Sequence, residues 1–180
     1  MKKCFSFVSK KDVGMVGAKL YYPDDTIQHA GVVVGLGGVA AHVLCKLPRD
    51  AEGYMGRLRC VQEISAVTAA CMMVKTSVFK AVGGFDEELK VAFNDIDLCM
   101  KVRKYGVKII FTPYAELYHY ESKSRGMEDT PEKQLRFSRE VNCFRRKWER
   151  ELLKGDPYYN PNLTLNNTDC SLRKQEKNGD

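Results

Sequence analysis

Strand-like and helix-like runs alternate along the 180 residues of the chain, and this alternation limits the fold more than any other feature. Two strand-like runs flank the turn residues 23–25 and predict a β-hairpin. The continuous apolar run SAVTAACMMVK at residues 65–75 predicts a buried strand. Capping residues, glycines and apolar periodicity predict helices at residues 75–84, 93–106 and 130–152. The expected fold class is therefore α/β or α+β.

Composition narrows the class of protein. Apolar residues at 44% and charged residues at 29% are typical of one soluble globular domain, expected at residues 1–165, with a disordered polar tail at 166–180. A net charge of +6 suits a phosphate-bearing substrate or an anionic membrane surface and is too diffuse for nucleic acid. The seven cysteines lack C-x-x-C spacing, and no apolar run approaches the ~18 residues of a membrane span. These features predict a cytoplasmic protein with reduced thiols.

Two carboxylates stand close together in the predicted helix FNDIDLCMKVRKYG at residues 93–106. At 100° per residue, Asp97, Lys101 and Lys104 share one arc, which predicts a solvated face with an Asp97–Lys101 ion pair. Asp95 lies about 200° away from Asp97, on the apolar side of the helix, so the two carboxylates cannot bind the same metal ion. Two roles are open for this position. Asn94 or Asp95 caps the helix, or Asp95 acts as a base in a cleft.

A histidine and two cations follow the strand predicted near residues 107–113. The segment YHYESKSRG contains His119, Lys123 and Arg125. A single histidine is more often structural than a ligand, yet these residue types suit a metal-bound diphosphate. Their spacing alone does not decide between the two.

Several long blocks resemble the C-terminal half of family 2 glycosyltransferases of the GT-A fold, and above all the rhamnosyltransferase-like members that build surface polysaccharides. The resemblance spans residues 11–172 and is carried by residues 26–42, 53–54, 65–126 and 156–165. It implies an α/β fold in which a mixed sheet is flanked by helices.

The resemblance implies an enzyme that transfers a hexosyl or rhamnosyl group, with inversion, from a nucleotide-sugar to a glycan or lipid-linked acceptor. It makes Asp95 the general base and His119 a ligand of a divalent metal ion, Mn²⁺ or Mg²⁺. Lys123 and Arg125 would stabilise the diphosphate, while Asp97 would be structural rather than catalytic. A homo-oligomer, peripheral to the inner face of the membrane, is expected, with no nucleic-acid partner.

The sequence departs from the family pattern in two ways. Ala69 stands where the family has glycine, which would narrow the site. The family's donor-binding first half, with its D-x-D loop, is expected to be missing, so that a separate donor-binding half becomes an expected partner and donor binding here is weak. Two functions stay open: the acceptor and base half of a transferase, or a non-catalytic truncated fragment that binds the acceptor or supports assembly.

Overall fold

A computed structural model describes residues 2–120 and 130–174. The helices are α1 (Lys2–Val8), α2 (Thr76–Ala81), α3 (Asn94–Lys104), α4 (Pro131–Lys147) and α5 (Glu149–Lys154). The strands are β1 (Val13–Tyr21), β2 (Ile27–His29), β3 (Val32–Val34), β4 (Ala40–His42), β5 (Gln62–Glu63), β6 (Met72–Val74) and β7 (Lys108–Tyr118). The prediction of an α/β fold is confirmed.

The main sheet is mixed and is built around β1. Strand β7 runs parallel to β1 along its whole length, and β5 adds antiparallel to the far edge of β7. The other edge of β1 is shared, since β6 pairs with its first half and β2 with its end, both antiparallel. Strands β3 and β4 form a separate antiparallel hairpin. The sheet therefore opens where β2 diverges from β6, and the chain segments before β6 and after β7 meet near that opening.

Both faces of β1 are covered, and all nine of its residues are buried. Met15 and Tyr21 face the larger apolar core, to which α3 contributes Leu98. Val16 and other residues of the opposite face pack in a smaller cluster with α1. Burial on both faces is expected for a strand with a parallel neighbour, because helices cover both sides of such sheets.

Local sequence signals place several elements correctly. The hairpin at residues 23–25 is present, with Leu20 opposite His29. Gly106, at φ +92°, follows the end of α3, and Thr130 caps α4 through its side chain, which accepts a hydrogen bond from the amide of Lys133. The turn and cap residues therefore fixed these boundaries, as such residues do where they need no distant partner.

The predicted strand at residues 65–75 is wrong over most of its length. Within it, β6 is the only stretch that forms a strand, and a 3₁₀ turn at Ala69–Cys71 precedes that strand. Ala66 forms an isolated bridge with Val32. The Thr68 hydroxyl accepts a hydrogen bond from the amide of Ala70 at 3.3 Å, which favours the turn over continued pairing. The predicted helix 130–152 also divides, because Trp148 leaves helical geometry at φ −114° and separates α4 from α5.

The C-terminal segment is attached to the domain as far as the structure describes it. The amide of Leu44 donates to the carbonyl of Thr168 at 2.6 Å, and the Cys170 side chain is buried. The predicted boundary at residue 166 therefore does not coincide with the end of the packed structure, and residues 175–180 lie outside the described range. Among the described helices, none has the length and apolar character needed to span a membrane.

Candidate active site

Asp95 lies in the first turn of α3 and links that helix to the turn before β6. Its Oδ2 accepts a hydrogen bond from the amide of Ala69 at 3.0 Å, and its Oδ1 accepts one from the amide of Ile96 at 2.9 Å. The N-cap of α3 is Phe93, which makes no side-chain capping bond, so Asp95 is not the N-cap residue. The carboxylate is half-buried, whereas Ala69 beside it is exposed. Its orientation is thus fixed by backbone groups at an accessible edge.

A cavity of about 290 Å³ lies against the same turn. Its lining residues are Tyr22, Gln28, Ala41, His42, Cys45, Thr68, His119 and Thr168. Thr68 forms part of the wall and immediately precedes Ala69, whose amide binds Asp95. The fold therefore brings Asp95 and His119, which are separate in sequence, to one neighbourhood. Lys123 and Arg125 lie outside the described residues.

His119 is held at the end of β7 by backbone and side-chain contacts. Its amide donates to the carbonyl of Tyr21 at 3.0 Å, and its Nδ1 lies 2.8 Å from Oε1 of Gln28. The Gln28 amide nitrogen donates to the His119 carbonyl at 3.4 Å, which orients Oε1 towards the ring. Because an amide oxygen only accepts, Nδ1 carries the proton and the lone pair of the neutral ring is on Nε2. That tautomer suits a metal ligand.

The described residues do not, however, provide a complete metal site. Within residues 2–120 and 130–174, no three or more His, Cys, Asp or Glu side chains are grouped so that they could hold a metal ion. A divalent ion needs several ligands, usually carboxylate oxygens for Mg²⁺ or Mn²⁺. Among the described residues, His119 would therefore be a single ligand.

A buried histidine pair supports the cavity wall, and no sequence pattern predicted this pair. His29 is fully buried, and its Nδ1 lies 3.2 Å from Nδ1 of His42, with ring centroids 4.8 Å apart. The amide of Thr68 donates to Nε2 of His29 at 3.4 Å. Burial, followed by the proximity of His42, holds the pKa of His29 well below its ordinary value. A neutral His29 therefore anchors the backbone next to Asp95.

The prediction that Asp97 lies on a solvated face is wrong, although its ion pair with Lys101 is present. Asp97 has no exposed surface, and its Oδ1 accepts from the Trp148 indole at 2.8 Å. Lys147 also lies 2.8 Å from Oδ1, and Lys101 lies 3.2 Å from Oδ2. The end of α4 covers this face of α3. Asp97 therefore connects two helices at the side of α3 away from the cavity.

Comparison with known proteins finds relatives much longer than this chain, and no protein-family model matches it. Over 173 residues, 96% of the chain, it is 55% identical to an uncharacterized protein, y4gI, of Sinorhizobium fredii. Over 176 residues, 97% of the chain, it is 38% identical to the O-antigen biosynthesis protein RfbC of Myxococcus xanthus. These alignments cover 19% and 13% of the two relatives.

A shorter stretch is similar to an enzyme with a named reaction. Over 62 residues, 34% of the chain, the sequence is 34% identical to N-acetylglucosaminyl-diphospho-decaprenol L-rhamnosyltransferase of Mycobacterium tuberculosis, of which it covers 20%. One of these names states O-antigen biosynthesis and the other states rhamnosyl transfer. The chain therefore spans about a fifth or less of the length of each of these relatives.

Proposed function

We propose that the chain forms the acceptor and catalytic-base part of a GT-A glycosyltransferase of family 2. The reaction is transfer of a sugar from a nucleotide-sugar to a glycan or lipid-linked acceptor in cell-surface polysaccharide synthesis. The similarity to the O-antigen biosynthesis protein and the rhamnosyltransferase supports the class of reaction. The mixed sheet, with helices on both faces of β1, is compatible with part of such a fold.

The observation that carries the proposal is the placement of Asp95. Its carboxylate is half-buried and is oriented by the amides of Ala69 and Ile96. Thr68, the residue before Ala69, lines the cavity. A general base needs this combination of fixed direction and access, because it must come within about 2.6–3.2 Å of the proton that it removes. The exposed Ala69 leaves space next to the carboxylate for an acceptor sugar.

Asp95 would act on the acceptor hydroxyl. As the hydroxyl oxygen attacks the anomeric carbon, its proton passes to Asp95 and the bond from that carbon to the diphosphate oxygen breaks. Attack opposite the leaving group inverts the anomeric configuration. The diphosphate leaves as an anion, and a divalent metal with His119 among its ligands, together with Lys123 and Arg125, would neutralise it. The described residues support this role of Asp95 through the two amides that orient its carboxylate.

Replacing Asp95 by asparagine tests the base. Asparagine keeps an acceptor for the amide of Ala69 but cannot take the proton, so transfer should fall about 10²- to 10⁴-fold. The assay is transfer of labelled sugar from nucleotide-sugars to purified glycan precursors, measured on the polypeptide that contains this chain. Asp12→Asn, at an exposed ion pair with Lys108, is the matched control and should leave the rate unchanged. Normal transfer by the Asp95 variant would exclude it as the base.

A second candidate is an acceptor-binding module without catalysis. It is favoured by the lack of a metal-ligand group among the described residues, since a transferase of this class is expected to use a divalent ion. If this candidate is correct, the wild-type chain binds the glycan precursor saturably and transfers no sugar from any nucleotide-sugar donor. Equal glycan affinity of the wild-type and Asp95→Asn chains, with transfer absent from both, would favour it over the base mechanism.

A further inference from the structure

A second cavity, of about 530 Å³, lies beside an irregularity of the central strand pair. Ala18 of β1 pairs with Thr112 of β7, but the next residue, Lys19, pairs with Glu116. Residues 113–115 of β7 are therefore left out of the ladder, as in a bulge, and such bulges often border functional sites. The cavity lining is Lys19, Arg49, Asp50, Ala51, Leu58, Arg59, Pro113, Tyr114 and Glu116. It shares no residue with the lining of the cavity near Asp95.

Lys19 is a buried ammonium group with few acceptors. The residue is 4% exposed, and its single hydrogen bond among the described residues is to the carbonyl of Leu58 at 3.4 Å. An ammonium has three donors, and burying a charge without hydrogen-bonded partners is costly. Burial lowers the pKa of Lys19, and the charge of Glu116 only partly opposes this shift. The ammonium also lies 5.4 Å from the centroid of the Tyr21 ring, which offers no hydrogen-bond acceptor in the manner of an oxygen. The described residues therefore satisfy only part of its donor capacity.

Glu116 does not complete the set of acceptors. Its Oε1 accepts from the Tyr21 hydroxyl at 3.0 Å, and its Oε2 lies 2.7 Å from Arg49. Arg49 also forms an ion pair with Asp25, at 3.1 Å. The nearest acid is thus already bound by other donors, which leaves the Lys19 ammonium open to a group within the cavity.

Arg59 is the second cation of the lining that could bind a ligand. It pairs with Glu52 at 3.1 Å, but the two side chains are 60% and 66% exposed. An exposed pair of this kind contributes little and is readily exchanged for another anion. Asp50 is the remaining acid of the lining, and its charge opposes the binding of an anion, so the attraction of the two cations has to exceed this repulsion.

We propose that this cavity binds an oxyanion, the carboxylate of an acidic sugar or a phosphate group, with Lys19 at its base and Arg59 at its rim. Its volume suits a ligand of monosaccharide size. Oxyanions supply several acceptors at once and form charge-assisted hydrogen bonds with both cations. The site depends on neither Asp95 nor His119, so it is independent of the proposed transfer reaction.

Calorimetric titration at pH 7 with two probes, sodium glucuronate and inorganic pyrophosphate, tests the site and separates the two sources of the anion. At least one probe should bind saturably to the wild-type chain. Lys19→Met should weaken that binding at least about tenfold and Arg59→Met about threefold to tenfold, the usual worth of a charge-assisted contact. Lys80→Met, which removes an exposed lysine of α2, keeps the same net charge as the variants and should bind as the wild type does.

Stability without ligand provides a second readout. Methionine fills the space of the lysine stem, and relief of the desolvation cost of the buried ammonium should offset the loss of its long hydrogen bond to the Leu58 carbonyl. Lys19→Met should therefore melt at the same or a higher temperature than the wild type, whereas a purely structural lysine would make the variant less stable. No saturable binding of either probe, equal affinities of wild type and Arg59→Met, or a destabilised Lys19→Met would overturn the proposal.

Discussion

Replacing Asp97 by asparagine should destabilise the attachment of α3 to the end of α4. The carboxylate is fully buried and faces three donors: the Trp148 indole, the Lys147 ammonium and the Lys101 ammonium. Lys101 also donates to the carbonyl of Gly84 at 2.5 Å, so its contact with Asp97 is an ion pair without good hydrogen-bond geometry. The variant removes the negative charge from this group and leaves both lysines in place.

The structure allows the magnitude to be bounded. Breaking a buried ion pair by removing one partner costs about 3–5 kcal/mol, because the remaining charge is left uncompensated. Asparagine can still accept from the Trp148 indole, and Lys147 keeps its ion pair with Asp86. The side chains of Lys147 and Lys101 are also 33% and 19% exposed, so water partly compensates their charges. The expected loss in the free energy of unfolding is therefore about 2–4 kcal/mol.

Urea unfolding at pH 7, followed by tryptophan fluorescence, measures this loss, since Trp148 is the single tryptophan of the chain. Asp12→Asn, which removes an exposed ion pair, is the control and should have the same free energy of unfolding as the wild type. A loss below about 0.5 kcal/mol for Asp97→Asn, the level of a surface pair, would refute the argument from burial.

Two further predictions concern the pH dependence and the packing of the core. Because the pKa of His29 is held well below its ordinary value, the unfolded chain takes up a proton that the folded chain excludes, and stability should fall as the pH drops below about 6.5, by up to about 1.4 kcal/mol per pH unit. Urea unfolding of wild type and His29→Gln between pH 8 and 5 checks this, and parallel profiles would contradict it. Gly17→Ala should cost about 1–3 kcal/mol, since the new Cβ would lie 2.3 Å from a methyl carbon of Val67. Val67→Ala in the same chain should offset part of that cost, and strictly additive losses in thermal unfolding would argue against the clash.

The elements that sequence reasoning placed correctly are those determined by neighbours in the chain. The residues of the β1–β2 turn, the glycine after α3 and the proline at the start of α4 act locally, and their signals are confirmed. The prediction of one strand over residues 65–75 failed because a strand also requires a continuous partner. Met72–Val74 pairs with β1, whereas Ala66 forms only an isolated bridge with Val32. Apolar composition indicates burial but does not specify the pairing that makes a strand.

The surroundings of Asp97 show a second limit of prediction from the sequence. Helical periodicity correctly puts Asp95 and Asp97 on different faces of α3, but it does not tell which face a later helix covers. Trp148, which bonds to Asp97, is 51 residues away in the chain. The same holds for the site, where His29 and His42 meet across 13 residues without any periodic signal. Asp95 and His119 were found through the resemblance to a family, while their roles remain predictions.

The two aspartates of α3 can be separated by comparing stability with activity. Asp95 bonds to two backbone amides at the cavity edge, and asparagine retains one of these bonds, so Asp95→Asn should cost about 1 kcal/mol or less while transfer falls by orders of magnitude. Asp97 lies on the covered side of the same helix, so Asp97→Asn should unfold more easily, yet the molecules that stay folded should transfer sugar at a near-normal rate. Rates are therefore compared per folded molecule, at a temperature at which circular dichroism shows both variants to be native. If the Asp97 variant lost as much activity per folded molecule as the Asp95 variant, the position of the helix rather than the proton acceptor would control the reaction, and the assignment of Asp95 as the base would fail.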